Sequence, residues 1–193
     1  MKLLYITNSE IKVKELKNVL KKHVEITSID SLFDLEYKVE FEHYSKDFFE
    51  NAKRKAQLIW KKEKDNYDYI IADEYGLFSA YAPNILGIES DTWWPGTQRE
   101  KNEALVNLFD GVKDREIYYH SVYVAIGKDG KFKLSEGYTY GYLGKKVKER
   151  NGEGYDSVFI TEDGKYLSQH EQADILKYSA RIEAMTKLAE QLS

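Results

Sequence analysis

Residues 70–77 read Ile70-Ile71-Ala72-Asp73-Glu74-Tyr75-Gly76-Leu77, an apolar run that stops at two adjacent carboxylates and a glycine. Such a run reads as a buried strand delivering charge at its carboxyl end. Open α/β sheets bind ligands outside the carboxyl ends of their strands, so a metal or a phosphate belongs there. A solvated acidic turn is the plainer reading of Asp-Glu-Tyr-Gly, and taken alone it is the stronger one. What lies on either side has to decide.

Upstream, Phe49, Ala52, Ala56, Ile59 and Trp60 fall on one face of a helix predicted over 45–65, with Glu50 and Asn51 near its start. Glu50 is either a first-turn acid favoured by the helix dipole or a ligand aimed at the same place as Asp73, and spacing leaves both open. Further upstream, Leu3-Leu4-Tyr5-Ile6 runs into Thr7-Asn8-Ser9 and then into Ile11, Leu16, Val19 and Leu20. That is strand, polar turn and amphipathic helix. Thr7, Asn8 and Ser9 are each able to cap the helix, and Lys12 lies one turn inside it. Backbone N–H groups and an ammonium therefore converge where an anion would sit, although a plainly capped helix with an exposed lysine has the same letters. Residues 24–29 alternate as a second strand.

Downstream, residues 79–96 are irregular, with Pro83, Gly87, Pro95, Gly96 and the pair Trp93-Trp94, which suits base stacking, core packing or a dimer contact. Thr97-Gln98-Arg99-Glu100 has the form of a capping box and opens a helix with Ala104, Leu105, Leu108 and Phe109 inward, ended by Asp110-Gly111. From 116 to 143 the pattern turns to β, with Tyr119, Val122 and Val124 before a Lys128-Asp129-Gly130 hairpin turn and a return over 132–142. Gly152-Glu153-Gly154-Tyr155-Asp156-Ser157 is a glycine-bracketed loop, which suits close approach of backbone to a ligand or simply a tight turn. It leads into a short strand, Val158-Phe159-Ile160, and a Glu162-Asp163-Gly164 turn. A last helix is predicted over 171–192, carrying Leu176, Ala180, Ala184, Leu188 and Leu192, with Ser179 and Arg181 near its middle.

Composition narrows the chemistry. The chain has 193 residues, 42% hydrophobic and 32% charged, which suits a soluble globular protein of one large domain or two small lobes; a single domain over 1–193 is expected. With no cysteine and four histidines, disulfides and thiolate zinc sites are excluded, and a metal has to be held by oxygen or a few imidazoles. Hard cations such as Mg²⁺ fit that inventory. The apolar run at residues 1–6 is too short for a signal peptide, and no segment approaches the roughly 20 apolar residues of a membrane span, so a cytoplasmic protein is expected. A net charge of −4 argues against broad nucleic-acid binding; the basic cluster Lys145, Lys146, Lys148 and Arg150 reads as a solvated loop. There is no internal repeat and no linker-like tract.

Taken in order, these stretches resemble the inosine/xanthosine triphosphate pyrophosphatase family of house-cleaning enzymes, over nearly the whole chain. Thr7-Asn8-Ser9 through Lys12 to Glu15-Leu16 is similar to its phosphate-binding turn, Phe49-Glu50-Asn51-Ala52 to its metal-binding helix start, and residues 72–77 to its paired-acid motif. Residues 115–121 with Gly137 resemble its hairpin, residues 152–159 its base loop, and Ser179-Ala180-Arg181 its base-reading motif. The resemblance implies an α/β fold: a long twisted mixed β-sheet flanked by helices, with two lobes and a nucleotide-binding cleft between them. It implies hydrolysis of nucleoside triphosphates, non-canonical purine ones such as ITP, dITP and XTP, to monophosphate and pyrophosphate. The same chemistry on a different or modified nucleotide, and a catalytically weak nucleotide-binding or regulatory homologue, stand as alternatives.

By the same resemblance, Mg²⁺ is held by Glu50 and Glu74, with or without Asp73, and one of Asp73 and Glu74 orients or deprotonates the water. Thr7, Asn8, Ser9 and Lys12 bind phosphate, while Gly154, Tyr155, Asp156, Ser179 and Arg181 complete the substrate contacts. A homodimer is expected, with no nucleic acid or membrane partner. The chain departs from the family pattern mostly around the base: Glu153 stands where an aromatic stacks, Ala180 where a histidine stands, Glu89-Ser90-Asp91-Thr92 for a Tyr-Ser-Ala-Arg-like segment and Gln169 for a glutamate. Phosphoryl chemistry is thus expected with an altered base preference, for which Tyr155, Trp93 and Trp94 are the available substitute rings.

Overall fold

A computed structural model of the chain describes residues 1–20, 24–28 and 45–192. The strands are β1 (Lys2–Tyr5), β2 (Glu25–Ser28), β3 (Tyr69–Phe78), β4 (Glu116–Gly127), β5 (Phe132–Leu143) and β6 (Phe159–Ile160). They form one mixed sheet in the order β2-β1-β3-β4-β5-β6, with β1 parallel to both β2 and β3 and β5 antiparallel to β6. The helices are α1 (Glu10–Leu20), α2 (Phe48–Glu63), α3 (Gln98–Leu108), α4 (Gln172–Ile175) and α5 (Ala180–Leu192). The strand expected over 24–29 is β2, and Ile29 lies outside the described residues. None of the described helices is long and apolar enough to cross a membrane.

The chain divides into two compact units. The first comprises Met1–Tyr75, Ser121–Gly137 and Arg181–Ser193. Its core includes an apolar cluster in which Leu3 and Tyr5 from β1, Ile71 from β3 and Tyr123 and Ala125 from β4 meet Leu16 and Leu20 of α1 and Ala184, Met185, Leu188 and Leu192 of α5. Leu3, Leu4 and Tyr5 are all buried, as expected of a strand flanked on both edges by parallel neighbours and covered on its faces. Asp47 caps α2 by accepting from the backbone N–H of Phe49 and Glu50, which sets the helix start at Phe48. Trp60 ties α2 to the β4–β5 turn, its indole N–H donating to the Gly127 carbonyl at 2.9 Å. That turn needs Gly130, which sits at φ 77°.

The second unit comprises Gly76–His120 and Tyr138–Ala180. Tyr119 stacks on Phe159 at 4.9 Å between ring centres, and Tyr81 meets Phe109 edge-on at 4.8 Å. The capping box on α3 is present in both directions between Thr97 and Glu100. The buried stripe of that helix differs from expectation. It runs through Lys101, Asn102, Leu105 and Phe109, while Leu108 is exposed. Lys101 tolerates burial because its ammonium donates to the Asp91 carbonyl.

Two further expectations are corrected. The last helix is not continuous: α4 passes into a 3₁₀ turn over Leu176–Tyr178, Ser179 is extended (φ −94°, ψ 108°), and α5 starts at Ala180. Leu176 is accordingly exposed, because the buried 3.6-residue pattern begins only at Ala180. Nor does β3 end at the two acids; it runs through them to Phe78.

Candidate active site

The register of β3 explains how two carboxylates can sit inside a strand. Leu3, Leu4 and Tyr5 pair with Tyr69, Ile70 and Ile71, and there β1 ends. Asp73 and Glu74 therefore emerge past the carboxyl end of β1, although β3 itself continues. Alternation along the strand then sends the neighbours to opposite faces. Asp73 turns toward α1, Glu74 toward α2, and each meets a lysine of that helix.

On the first face, Lys12 Nζ lies 2.6 Å from Asp73 Oδ2, and the carboxylate is only 3% exposed. The helix start fixes the lysine. Ser9 Oγ accepts from the Lys12 backbone N–H at 3.4 Å, and Thr7 Oγ1 accepts from that of Ser9 at 3.2 Å, so the Thr7 to Ser9 turn is a capped entry into α1. The other oxygen, Oδ1, accepts from the Tyr5 hydroxyl at 2.9 Å. The Tyr5 and Tyr123 oxygens are themselves 2.9 Å apart. A phenol has one proton, and Tyr5 commits its own to the carboxylate, so Tyr123 donates to Tyr5. Burial first, and then the charge of Asp73, push both phenols well above the usual tyrosine range, and both stay protonated at neutral pH.

One turn on from Lys12, Glu15 Oε1 pairs with the Arg181 guanidinium of α5 at 3.1 Å, and that guanidinium lies over the Tyr75 ring at 5.4 Å. Tyr75 shares the Asp73 face, two residues along β3. The face thus carries two cations and two anions within one unit. Ser179 stands in the extended link just before α5.

On the opposite face, Lys55 Nζ of α2 is 2.5 Å from Glu74 Oε1, both side chains being largely buried. Glu50 is half-exposed in the first turn of α2 and pairs with Lys53 at 2.9 Å. Glu50 and Glu74 are each paired with a different lysine, and among the described residues no three His, Asp or Glu side chains are grouped to hold a metal. Sequence reading did not single out Lys55, Tyr5 or Tyr123. Lys55 follows Glu50 by five residues in α2, and Tyr5 sat unmarked inside an apolar strand.

The glycine-bracketed loop belongs to the second unit and is internally braced. Asp156 Oδ2 accepts from the Glu153 N–H at 2.9 Å and Oδ1 from the Tyr119 hydroxyl at 3.1 Å. Gly152 is required there: it adopts φ 83°, and a Cβ would come within 2.3 Å of that same carboxylate. Asn102 of α3 donates to the Gly154 carbonyl at 2.9 Å and to Ser157 Oγ at 2.8 Å. Tyr155 is buried, accepts from the Trp93 indole at 2.8 Å and donates to the Ser90 carbonyl. Its ring is not open for stacking, and burial raises its pKa. What the loop leaves exposed is its tip, Gly152, Glu153 and Gly154. Trp94, whose ring centre is 5.5 Å from that of Trp93, is partly exposed.

Comparison with known proteins follows the same chain throughout. The family model described as Ham1 family matches residues 3–191. The chain is 32% identical over 193 residues to the dITP/XTP pyrophosphatase of Thermoanaerobacter sp. (strain X514), covering 97% of this chain and 94% of that one. It is 31% identical to the dITP/XTP pyrophosphatase of Clostridium perfringens (strain 13 / Type A), covering 99% and 97%. Among solved structures, the Staphylococcus aureus Ham1 protein superposes with a TM-score of 0.87 at 23% identity, over 100% of this chain and 98% of that one.

Proposed function

The chain belongs to the Ham1 family, and from that premise we propose that it hydrolyses non-canonical purine nucleoside triphosphates, such as dITP, ITP and XTP, to the monophosphate and pyrophosphate. The observation that carries the reading is the pair of lysine–carboxylate contacts on β3, Lys12 with Asp73 and Lys55 with Glu74. Phosphoryl transfer asks a protein mainly for positioning and for cations around developing phosphate charge. Two lysines held beside two carboxylates supply both, and relatives 31% and 32% identical that are named dITP/XTP pyrophosphatase point to the purine class.

In this reading Lys12 leaves Asp73 for the polyphosphate, with the Thr7, Asn8 and Ser9 turn presenting backbone N–H groups beside it. One of Asp73 and Glu74 then takes a proton from the attacking water. The water oxygen bonds to the α-phosphorus, the bond from that phosphorus to the α–β bridging oxygen breaks, and pyrophosphate leaves. Glu74 and Glu50 are oxygen donors for a divalent cation, and Mg²⁺ suits them. Mg²⁺ is commonly held by one or two carboxylates, with substrate phosphates and water completing the shell. When bound, the cation neutralises phosphate charge and polarises water. Arg181 is the group of the first unit that we assign to the base.

The test is a panel of triphosphates assayed with Mg²⁺ for each phosphate product. Pyrophosphate from dITP, ITP or XTP is expected. Orthophosphate with a nucleoside diphosphate, or no turnover on any member, would overturn the assignment.

A further inference from the structure

Lys145 opens a basic run that the candidate site does not use. In the second unit it lines an open cavity of about 580 Å³, together with Lys113, Arg115, Glu116, Tyr142 and Tyr166. Small-molecule pockets have volumes of this order. The charges of the cavity are not spent on one another. Arg115 donates its guanidinium N–H groups to the carbonyls of Phe109, Leu143 and Gly144, which fixes the cation without a carboxylate partner. Asp114, also on the wall, accepts from the Glu116 backbone N–H at 3.0 Å. Among the described residues, neither Lys113 nor Lys145 has a carboxylate within ion-pair distance. Three cations thus stand against two anions around one hollow.

The other half of the cavity is built from rings. Ile160 pairs with Tyr142 of β5 on one side and bridges to Tyr166 on the other. Paired residues share a face of the sheet, so the two phenols flank the isoleucine two strand spacings apart, about 10 Å. Tyr166 is the fixed wall: a Cβ on Gly144 would come within 2.4 Å of its ring, and Lys148 Nζ lies 5.0 Å from the ring centre. Tyr142 is 51% exposed and has no ring partner among the described residues, which leaves it open for stacking.

We propose that this cavity is a second ligand site and binds a nucleoside phosphate, with the base against Tyr142, the phosphate between the Lys113 and Lys145 ammoniums, and Glu116 accepting from a ribose hydroxyl. Ammonium groups beside a fixed guanidinium suit a phosphate, and an open phenol suits a base of any identity. The site goes beyond the hydrolase reading and shares no residue with it.

The experiment is calorimetry of the full chain without Mg²⁺, titrated with inosine monophosphate, inosine, ribose 5-phosphate and inorganic phosphate. The Lys113→Ala/Lys145→Ala variant should lose one inosine monophosphate per chain or bind it at least about tenfold more weakly, and the affinity lost should be the part that falls with added salt. Tyr142→Ala should weaken inosine monophosphate about tenfold and leave ribose 5-phosphate unchanged. Lys12→Ala should not remove this binding, and the cavity variants should keep initial triphosphate turnover within about twofold of wild type. Inosine monophosphate binding unchanged in the cavity variants, or abolished outright by Lys12→Ala, would overturn the site. Equal affinity for inosine monophosphate and ribose 5-phosphate would show that no ring is recognised, equal affinity for inosine that no phosphate is, and either overturns the assignment. Such results leave the hydrolase reading standing, whereas a chain without turnover that still binds through Lys113, Lys145 and Tyr142 removes that reading and keeps the site.

Discussion

At the scale of single residues, the two acids of β3 turn to opposite faces of the strand, each toward its own lysine. The sequence offered them as neighbours, and alternation along a strand divides them between faces. That division was legible in principle. The lysine each would meet was not, because Lys12 and Lys55 reach β3 from helices 61 and 19 residues away. Lys12 also proves to be more than an exposed helical cation, since it balances a carboxylate that is 3% exposed. Lys12→Met should therefore weaken triphosphate binding and also lower folding stability by about 1–3 kcal/mol, the cost of leaving a buried acceptor short of its partner. Adding Asp73→Asn should recover most of that stability, as read by urea titration; a stable single variant would show that Asp73 needs no counter-charge. On the other face, Glu74→Gln keeps the shape and removes the charge that Lys55 and a cation would share. Its kcat should fall by about 100-fold or more, the scale of losing a positioned electrostatic group. Near-normal turnover would place the chemistry elsewhere.

At the scale of elements, local signals carried furthest. The Thr97 to Glu100 capping box, the hairpin turn at Lys128-Asp129-Gly130 and the entry into α1 each depend on residues close in sequence, so the letters alone suffice. What failed were features decided at long range. The stripe of α3 shifted because Asn102 is drawn inward by Gly154 and Ser157, more than 50 residues away. Tyr155 and Asp156 brace the loop between them, which no reading of neighbouring letters foresees. The loop thus has a fixed base and an exposed tip, with Asn102 as the bracket. Asn102→Ala should cost about 1–3 kcal/mol by stripping the Gly154 carbonyl and Ser157 of their shared donor. The measurement is the thermal midpoint together with kcat/KM for dITP. A loss confined to stability would show that the loop's geometry is not needed for turnover.

At the scale of the whole molecule, the α/β class, the mixed sheet and the family were readable, because the order of motifs along a chain survives changes at any one of them. The extent of β3 and the break before α5 were not. Both turn on where a neighbouring strand stops or a buried pattern begins, which no single window contains. One further consequence follows from where the three tryptophans fall. Trp60 is braced against the Gly127 carbonyl in the first unit, and Trp93 and Trp94 stand together in the second, Trp93 on the Tyr155 hydroxyl. Each unit therefore carries its own emitter. Trp60→Phe leaves fluorescence from the second unit alone, and replacing Trp93 and Trp94 leaves it from the first, so the melting of either half can be followed in the intact chain without an added label.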